Sequence, residues 1–346
     1  MFANVGAARD VLSEYFYEES VDMLVGLLAP AIVFDPVDTD QTSELGVTRI
    51  GGTPDLPKHL PWPLRAVPED AEAIAARGGS HHRDRFAGHL QSAQPFSFIA
   101  QVDLAEAAAL GDVAAGLPSE GRLHFFYDGI VGTWCDGTGS CRVIWDTTPV
   151  TNLERLSLPK PLIDAFMLEF PPGARAGVPP QDGATLSERT KSPYWGPGRA
   201  MRLRPMLRLP DWRSAEVDSG PFAYDELVEW LKDDDFAASY RALFDDHINS
   251  ALRQQLLGMP MPEQDDPRCS AVMVSEFGNQ DVSPKVVKEN WPRIVESSAQ
   301  WRLLLQIDQR DYLQQELVEG TIYFLIRHAD LAARAFEKVV GIYQQT

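Results

Sequence analysis

One pattern occurs twice in this 346-residue chain, and it constrains the fold more than any other feature. Gly52-Thr53-Pro54, then Phe98-Ile99-Ala100-Gln101-Val102-Asp103, then Gly121-Arg122-Leu123-His124-Phe125-Phe126 stand in the first half. Gly258-Met259-Pro260, then Leu303-Leu304-Leu305-Gln306-Ile307-Asp308, then Gly320-Thr321-Ile322-Tyr323-Phe324-Leu325 stand in the second. Gln101 lies 49 positions after Gly52, and Gln306 lies 48 after Gly258. Three landmarks in the same order and near-equal spacing predict a duplicated unit. Each unit has a Gly/Pro turn, a strand ending in Gln-apolar-Asp, a short helix, and a strand opened by Gly. The expected fold class is α+β: a duplicated unit with mostly antiparallel sheets around one core, plus an N-terminal helix and inter-repeat helices. The chain reads as one domain over 1–346. Its repeats lie at about 48–148 and 255–340, with a Pro-rich connection and acidic helices over 149–254.

The remaining segments fill in this outline. Val11, Leu12, Tyr15, Phe16, Val21, Leu24, Val25 and Leu28 recur near helical spacing, which predicts an amphipathic helix over 7–28, limited by Pro30. Residues 69–94 are polar or small and read as a mobile excursion. Residues 96–102, 123–127 and 142–145 are apolar or aromatic runs of strand length. An Ala-rich helix is expected over 104–115, and Asp136-Gly137-Thr138-Gly139 reads as a turn. Residues 149–221 hold 12 of the 26 prolines and read as a connection of short strands and long loops. A helix starts over 224–231 and a second covers about 236–256.

Composition narrows the function classes. The formal net charge is −19, with 44% apolar and 23% charged residues. Such a chain folds, because it carries ordinary apolar content, and it is a poor binder of nucleic acid or anionic membrane, which need clustered Lys and Arg. Residues 1–20 have no basic start and carry Asp10, Glu14, Glu18 and Glu19, so they do not read as a secretory signal. The longest apolar stretch, 24–34, is 11 residues and contains Pro30, against the ~20 needed for a membrane span. Three cysteines, Cys135, Cys141 and Cys269, fit a reducing cytoplasm better than a disulfide framework.

Catalytic signatures are absent: no Gly-x-Ser-x-Gly, no phosphate loop, no Gly-x-Gly-x-x-Gly, no His-Glu-x-x-His. Cys135 and Cys141 lack the second cysteine pair of a structural zinc site, and a hairpin with incidental cysteines is favoured. His81-His82 and His89 lie in the most loop-like stretch and read as solvated. No metal or cofactor is expected. Gln101, Asp103, Gln306 and Asp308 are the sharpest polar positions. Each Gln lies within an apolar strand and must find hydrogen bonds when buried. The favoured reading has each Gln satisfying backbone groups where units meet and each Asp capping the next helix. The alternative is a small-molecule or catalytic site that uses the duplicated Gln/Asp positions.

The charge is unevenly placed. Residues 211–246 hold 11 acids, among them Asp225, Glu226, Glu229, Asp233, Asp234 and Asp235, against three bases. Residues 1–40 hold eight acids against Arg9. These segments therefore carry −15 of the −19. A solvated face and a docking surface for a basic protein both remain open readings.

The same landmarks carry a family resemblance. Gly51-Gly52-Thr53-Pro54 with Leu60-Pro61-Trp62-Pro63, Phe98 through Leu104, and Leu117-Pro118-x-x-Gly121-x-Leu123-x-Phe125-Phe126-Tyr127 resemble the bacterial YwqG-like proteins. So do Leu303 through Asp308 and Gly320-x-Ile322-Tyr323-Phe324-x-Ile326. The likeness spans about 1–340. It departs before Gly320, where relatives carry a Gly-Asp pair and this chain has Leu317-Val318-Glu319. The resemblance implies an internally duplicated α+β fold, and the family has no established catalytic residues to carry over. Some relatives look like immunity proteins of polymorphic or type VI toxin systems. The resulting expectation is a cytoplasmic, non-enzymatic immunity protein that neutralises a cognate toxin, a basic nuclease domain, through its acidic surface.

Overall fold

The computed structural model describes residues 1–37, 44–77, 88–132, 139–169, 192, 194–216, 225–248, 253–278, 282–315 and 318–345. The strands are β1 (Ala29–Pro36), β2 (Arg49–Ile50), β3 (Asp55–Pro57), β4 (Leu64–Arg65), β5 (Gln94–Pro95), β6 (Ser97–Asp103) and β7 (Arg122–Tyr127). They continue with β8 (Cys141–Asp146), β9 (Leu153–Arg155), β10 (Arg199–Arg208), β11 (Gln255–Leu256), β12 (Trp301–Asp308), β13 (Thr321–Arg327) and β14 (Val340–Gln344). Ten of them form one sheet in the order β14-β13-β12-β11-β1-β10-β2-β6-β7-β8. Every neighbouring pair in it is antiparallel. With the surrounding helices this is an α+β fold.

The strand order is symmetric about the β1–β10 pair. That pair runs in register from Ala29↔Arg208 to Pro36↔Met201. On one side stand β2, β6, β7 and β8, and on the other β11, β12, β13 and β14. Local devices repeat with the order. β6 and β12 each shift register at the same place, around Ile99 and Leu304, two residues before the Gln. The bulged carbonyls accept from Gly51 N (2.8 Å) and Leu257 N (3.1 Å). Gly51 and Gly52 have φ of 70° and 72°, and Leu257 and Gly258 have 57° and 79°. The same left-handed turn is thus built with Gly in one unit and Leu in the other. A Cβ on Gly51 would sit 2.3 Å from the Pro197 carbonyl oxygen, so no side chain fits there.

The main core runs across both halves, from Ile99, Val102, Leu123 and Phe125 to Leu304, Ile307, Ile322 and Phe324. The sheet curls until its edges meet: Ser140 Oγ donates to the Gly341 carbonyl (3.3 Å), and the Cys141 thiol to that of Val339 (3.4 Å). Helices Pro267–Phe277 and Pro284–Ser298 cover β12–β14 through Cys269, Val272, Ile294 and Trp301. The first begins on an Asp266 cap followed by Pro267 and stops at the left-handed Gly278, a start and stop spelled out in sequence.

Several expectations are corrected. The single helix over 7–28 is two helices, Val5–Leu12 and Glu18–Gly26. Ser13 caps the first, and Tyr17, at φ −74° and ψ 160°, is extended and opens the second. The stretch after it holds β1, a central strand, and the Pro-rich connection holds β10, ten residues long. The helix expected over 236–256 ends sooner: Asp234–Leu243 passes into one π-helical turn, Phe244–Ile248, and Gln255–Leu256 is strand. The 104–115 helix is Leu104–Ala108 plus a 3-10 turn, Gly111–Ala114. The 69–94 excursion includes the helix Ala71–Arg77. Cys135, Asp136, His81 and His82 lie outside the described residues. His89 stands 3.7 Å from the Asp128 carboxylate, which also pairs with Arg65. Cys141 and Cys269 are both buried. Among the described residues no helix is long and apolar enough to cross a membrane, and no group of His, Cys, Asp or Glu is placed to hold a metal.

Candidate functional site: an acid-rimmed aromatic groove

The duplicated polar residues form a scaffold. Gln101 is fully buried; its Oε1 accepts from Asp55 N (3.0 Å), and its Nε2 donates to the Val47 carbonyl and the Asp55 carboxylate (both 2.8 Å). Gln306 is equally buried; its Oε1 accepts from Met261 N (2.9 Å) and its Nε2 donates to the Arg253 carbonyl (3.1 Å). Each amide clamps the Gly/Pro turn to the strand. Asp103 and Asp308 cap the following helices, accepting from Ala105 N and Asp311 N, each at 3.0 Å. Their own N–H groups are held by Thr48 and Gln254 side chains, again both at 3.0 Å. Both glutamine amides are thus bonded inside the fold, whereas Asp103 and Asp308 remain part-exposed.

The acidic segments behave differently. Helix Asp234–Leu243 buries Phe236, Ala237, Tyr240 and Leu243 on one face and presents Asp234 and Asp235 to solvent. Helix Glu18–Gly26 buries Ser20, Val21 and Leu24 and exposes Glu18, Glu19 and Asp22. The buried faces meet: Phe16 lies 5.1 Å from Phe236, and Tyr15 Oη donates to Asp246 (2.8 Å). That hydrogen bond, with a small contribution from burial, pushes the Tyr15 phenol up to about 12. Two acidic stretches some 200 residues apart in sequence therefore form one helical layer. Not every acid in them faces water. Asp211 is buried, which pushes its carboxyl up despite Arg213, and Asp35 pairs with Arg204.

Where the two helix pairs meet, a groove of about 540 Å³ opens. Tyr15, Phe16, Tyr17, Trp230 and Phe236 line it, and Glu229, Asp233 and Asp235 form its rim. Tyr17 is 91% exposed, an unusual position for a large aromatic residue. Of the six acids singled out in sequence, Glu229, Asp233 and Asp235 border the groove and Asp234 is exposed beside it. Asp225 and Glu226 lie on helix Asp225–Trp230. Glu229 also pairs with Lys232 (2.5 Å) on the surface, and Asp233 caps the next helix by accepting from Phe236 N (2.9 Å). An aromatic floor with a carboxylate rim suits a Lys or Arg side chain, whose stem lies on the rings while its charge reaches the acids.

A family profile matches residues 48–344. The chain belongs to the DUF1963 family, a domain of unknown function. No curated protein matches it. The DUF1963 span includes Trp230 and Phe236 but begins after Tyr15, Phe16 and Tyr17, so the groove joins this domain to the segment that precedes it. Sequence reasoning found the acids of this DUF1963 protein and missed the aromatics. Their signal was Tyr15-Phe16-Tyr17, three consecutive aromatics between Glu14 and Glu18.

Proposed function

We propose that this chain is a binding protein of the YwqG-like type: a cytoplasmic immunity protein that neutralises a cognate secreted toxin, a basic nuclease domain, without catalysis of its own. The observation that supports this reading is the groove at Tyr17, Trp230 and Phe236 with Glu229, Asp233 and Asp235 at its rim. Complementary charge speeds encounter, and desolvated aromatic anchors carry most of the binding energy at protein interfaces. An inhibitor that presents acids to a nuclease competes for the surface that holds nucleic acid.

Co-expression with the toxin encoded by the adjacent gene tests the reading. A stable complex and rescued growth are expected. No complex and no rescue would remove it.

A further inference from the structure

A second cleft, of about 560 Å³, has a different lining from the first and the opposite character. It opens between the 3-10 turn of the first unit, at Asp112 and Val113, and the second unit's turn at Met259 and Pro260. Three bases line it: Arg268, Arg302 and His328, against the single rim acid Asp112. Arg268 is neutralised by Asp266, through a paired contact at 2.9 and 2.5 Å. Arg302 is half-buried and has no hydrogen-bond or ion-pair partner among the described residues. Its guanidinium end lies against Gly116, where a Cβ would come within 3.2 Å of Nη1.

A charge held partly out of water without a counter-ion is costly, and an anion that supplies one recovers that cost. Three other arginines drawn into this fold have a carboxylate: Arg65 has Asp128, Arg122 has Asp146, and Arg199 has Asp311. Burial pushes the Arg302 guanidinium down, with no carboxylate opposing it. Burial, followed by the charges of Arg302 and Arg268, also pushes His328 down. The duplicated scaffold does not need these bases. Counting from the paired glutamines, Arg302 corresponds to Ser97, and counting from the paired strand-opening glycines, His328 corresponds to Gly129.

We propose that this cleft binds a small organic oxyanion, a carboxylate or phosphate ester, with Arg302 as its anchor and His328 as a second donor. The volume is that of a small-molecule site, and Pro30, Val113 and Met259 offer apolar surface to the body of the ligand.

Calorimetric titration at fixed ionic strength, with inorganic phosphate in one arm, succinate in the other and chloride as reference, tests this. Saturable binding of one equivalent in either arm is expected, and the arm that binds identifies the anionic group. Arg302→Gln should weaken it roughly tenfold or more, as loss of a charge-assisted hydrogen bond does. Arg302→Lys should weaken it less. His328→Ala, at an exposed position, should fold normally and weaken binding severalfold, which keeps the test decisive even if Arg302→Gln does not fold. Glu229→Lys, in the other groove, should leave anion binding unchanged. Absence of saturable binding in both arms, or binding that survives both Arg302→Gln and His328→Ala, overturns the proposal.

Discussion

Phe125 and Phe324 hold the same position in the two repeated units, four residues after Gly121 and Gly320, and their rings meet edge to face at 5.2 Å. Both are fully buried. The two units thus join through their own equivalent residues, and this contact lies in the core that runs across both halves. Ala at either position should cost about 3–5 kcal/mol, the usual range for a buried Phe. Urea unfolding of both single variants and the double should show a coupling of about 1 kcal/mol, since an edge-to-face pair adds to simple burial. Full additivity would show that the ring contact contributes nothing of its own.

Gln101 and Gln306 have the same hydrogen bonds to backbone but different neighbours. Gln101 Nε2 also reaches the Asp55 carboxylate, which Arg155 holds at 2.8 Å, whereas Met261 takes that place in the second unit. Gln101→Glu should therefore destabilise more than Gln306→Glu at pH 7.5, by about 1–3 kcal/mol, the cost of a failed buried hydrogen bond to a charge. Acidification to pH 5 should narrow the gap, because a protonated Glu donates to Asp55. Equal urea midpoints for the two variants would refute the asymmetry.

His124 is fully buried, and neither ring nitrogen has a hydrogen-bond partner among the described residues. Burial pulls its pKa from 6.5 down to about 4, against the opposing charge of Asp146. Between those values the unfolded chain takes up a proton that the folded chain refuses. Stability should rise with pH from about 4 to 6.5 and be lost as pH falls, by up to about 3 kcal/mol from this group. His124→Leu should flatten that slope and match or exceed the parent at pH 5, since no hydrogen bond is broken. A parallel slope in parent and variant would assign the acid sensitivity elsewhere.

Tyr17 separates binding from folding. At 91% exposure, Tyr17→Ala should change stability by no more than about 0.5 kcal/mol. If the aromatic groove is the docking surface, the same change should raise partner dissociation at least tenfold, as loss of an interface aromatic does. Glu229→Lys with Asp235→Lys should mainly slow association, and added salt should reproduce the effect. Asp233 is unsuitable for this test: it caps the Asp234–Leu243 helix, and its loss costs about 1 kcal/mol by itself. Unchanged kinetics in the Tyr17 and charge-reversal variants would place the partner on another surface.

The paired strands were legible because apolar runs, Gln-apolar-Asp and the opening Gly recur in order. β1 and β10 were hidden by prolines, and the sheet explains why these are tolerated. Along β10 only Arg199 and Ala200 pair with β2, and along β1 only Ile32 and Val33 pair with β11. Pro205 and Pro30 therefore lie where each strand has no sheet partner on its outer side, and a missing N–H costs little there. The helix break over 13–17 was concealed by Tyr15 and Phe16, which continue the apolar pattern while turning toward Asp246 and Phe236. Charge revealed the acidic segments. The groove was not readable, because it exists only once residues 15–17 and 229–239 are brought together.

The meeting of β8 and β14 has a consequence for solution behaviour. A ten-stranded sheet left flat would end in two unpaired ladders, each able to recruit strands from other molecules. Here each edge shelters the other. The approach depends on Gly341, where a Cβ would lie 2.7 Å from Ser140 Oγ and 3.1 Å from Cys141 Cβ. A side chain at Gly341 would force the seam apart and convert a self-protected sheet into one prone to aggregate.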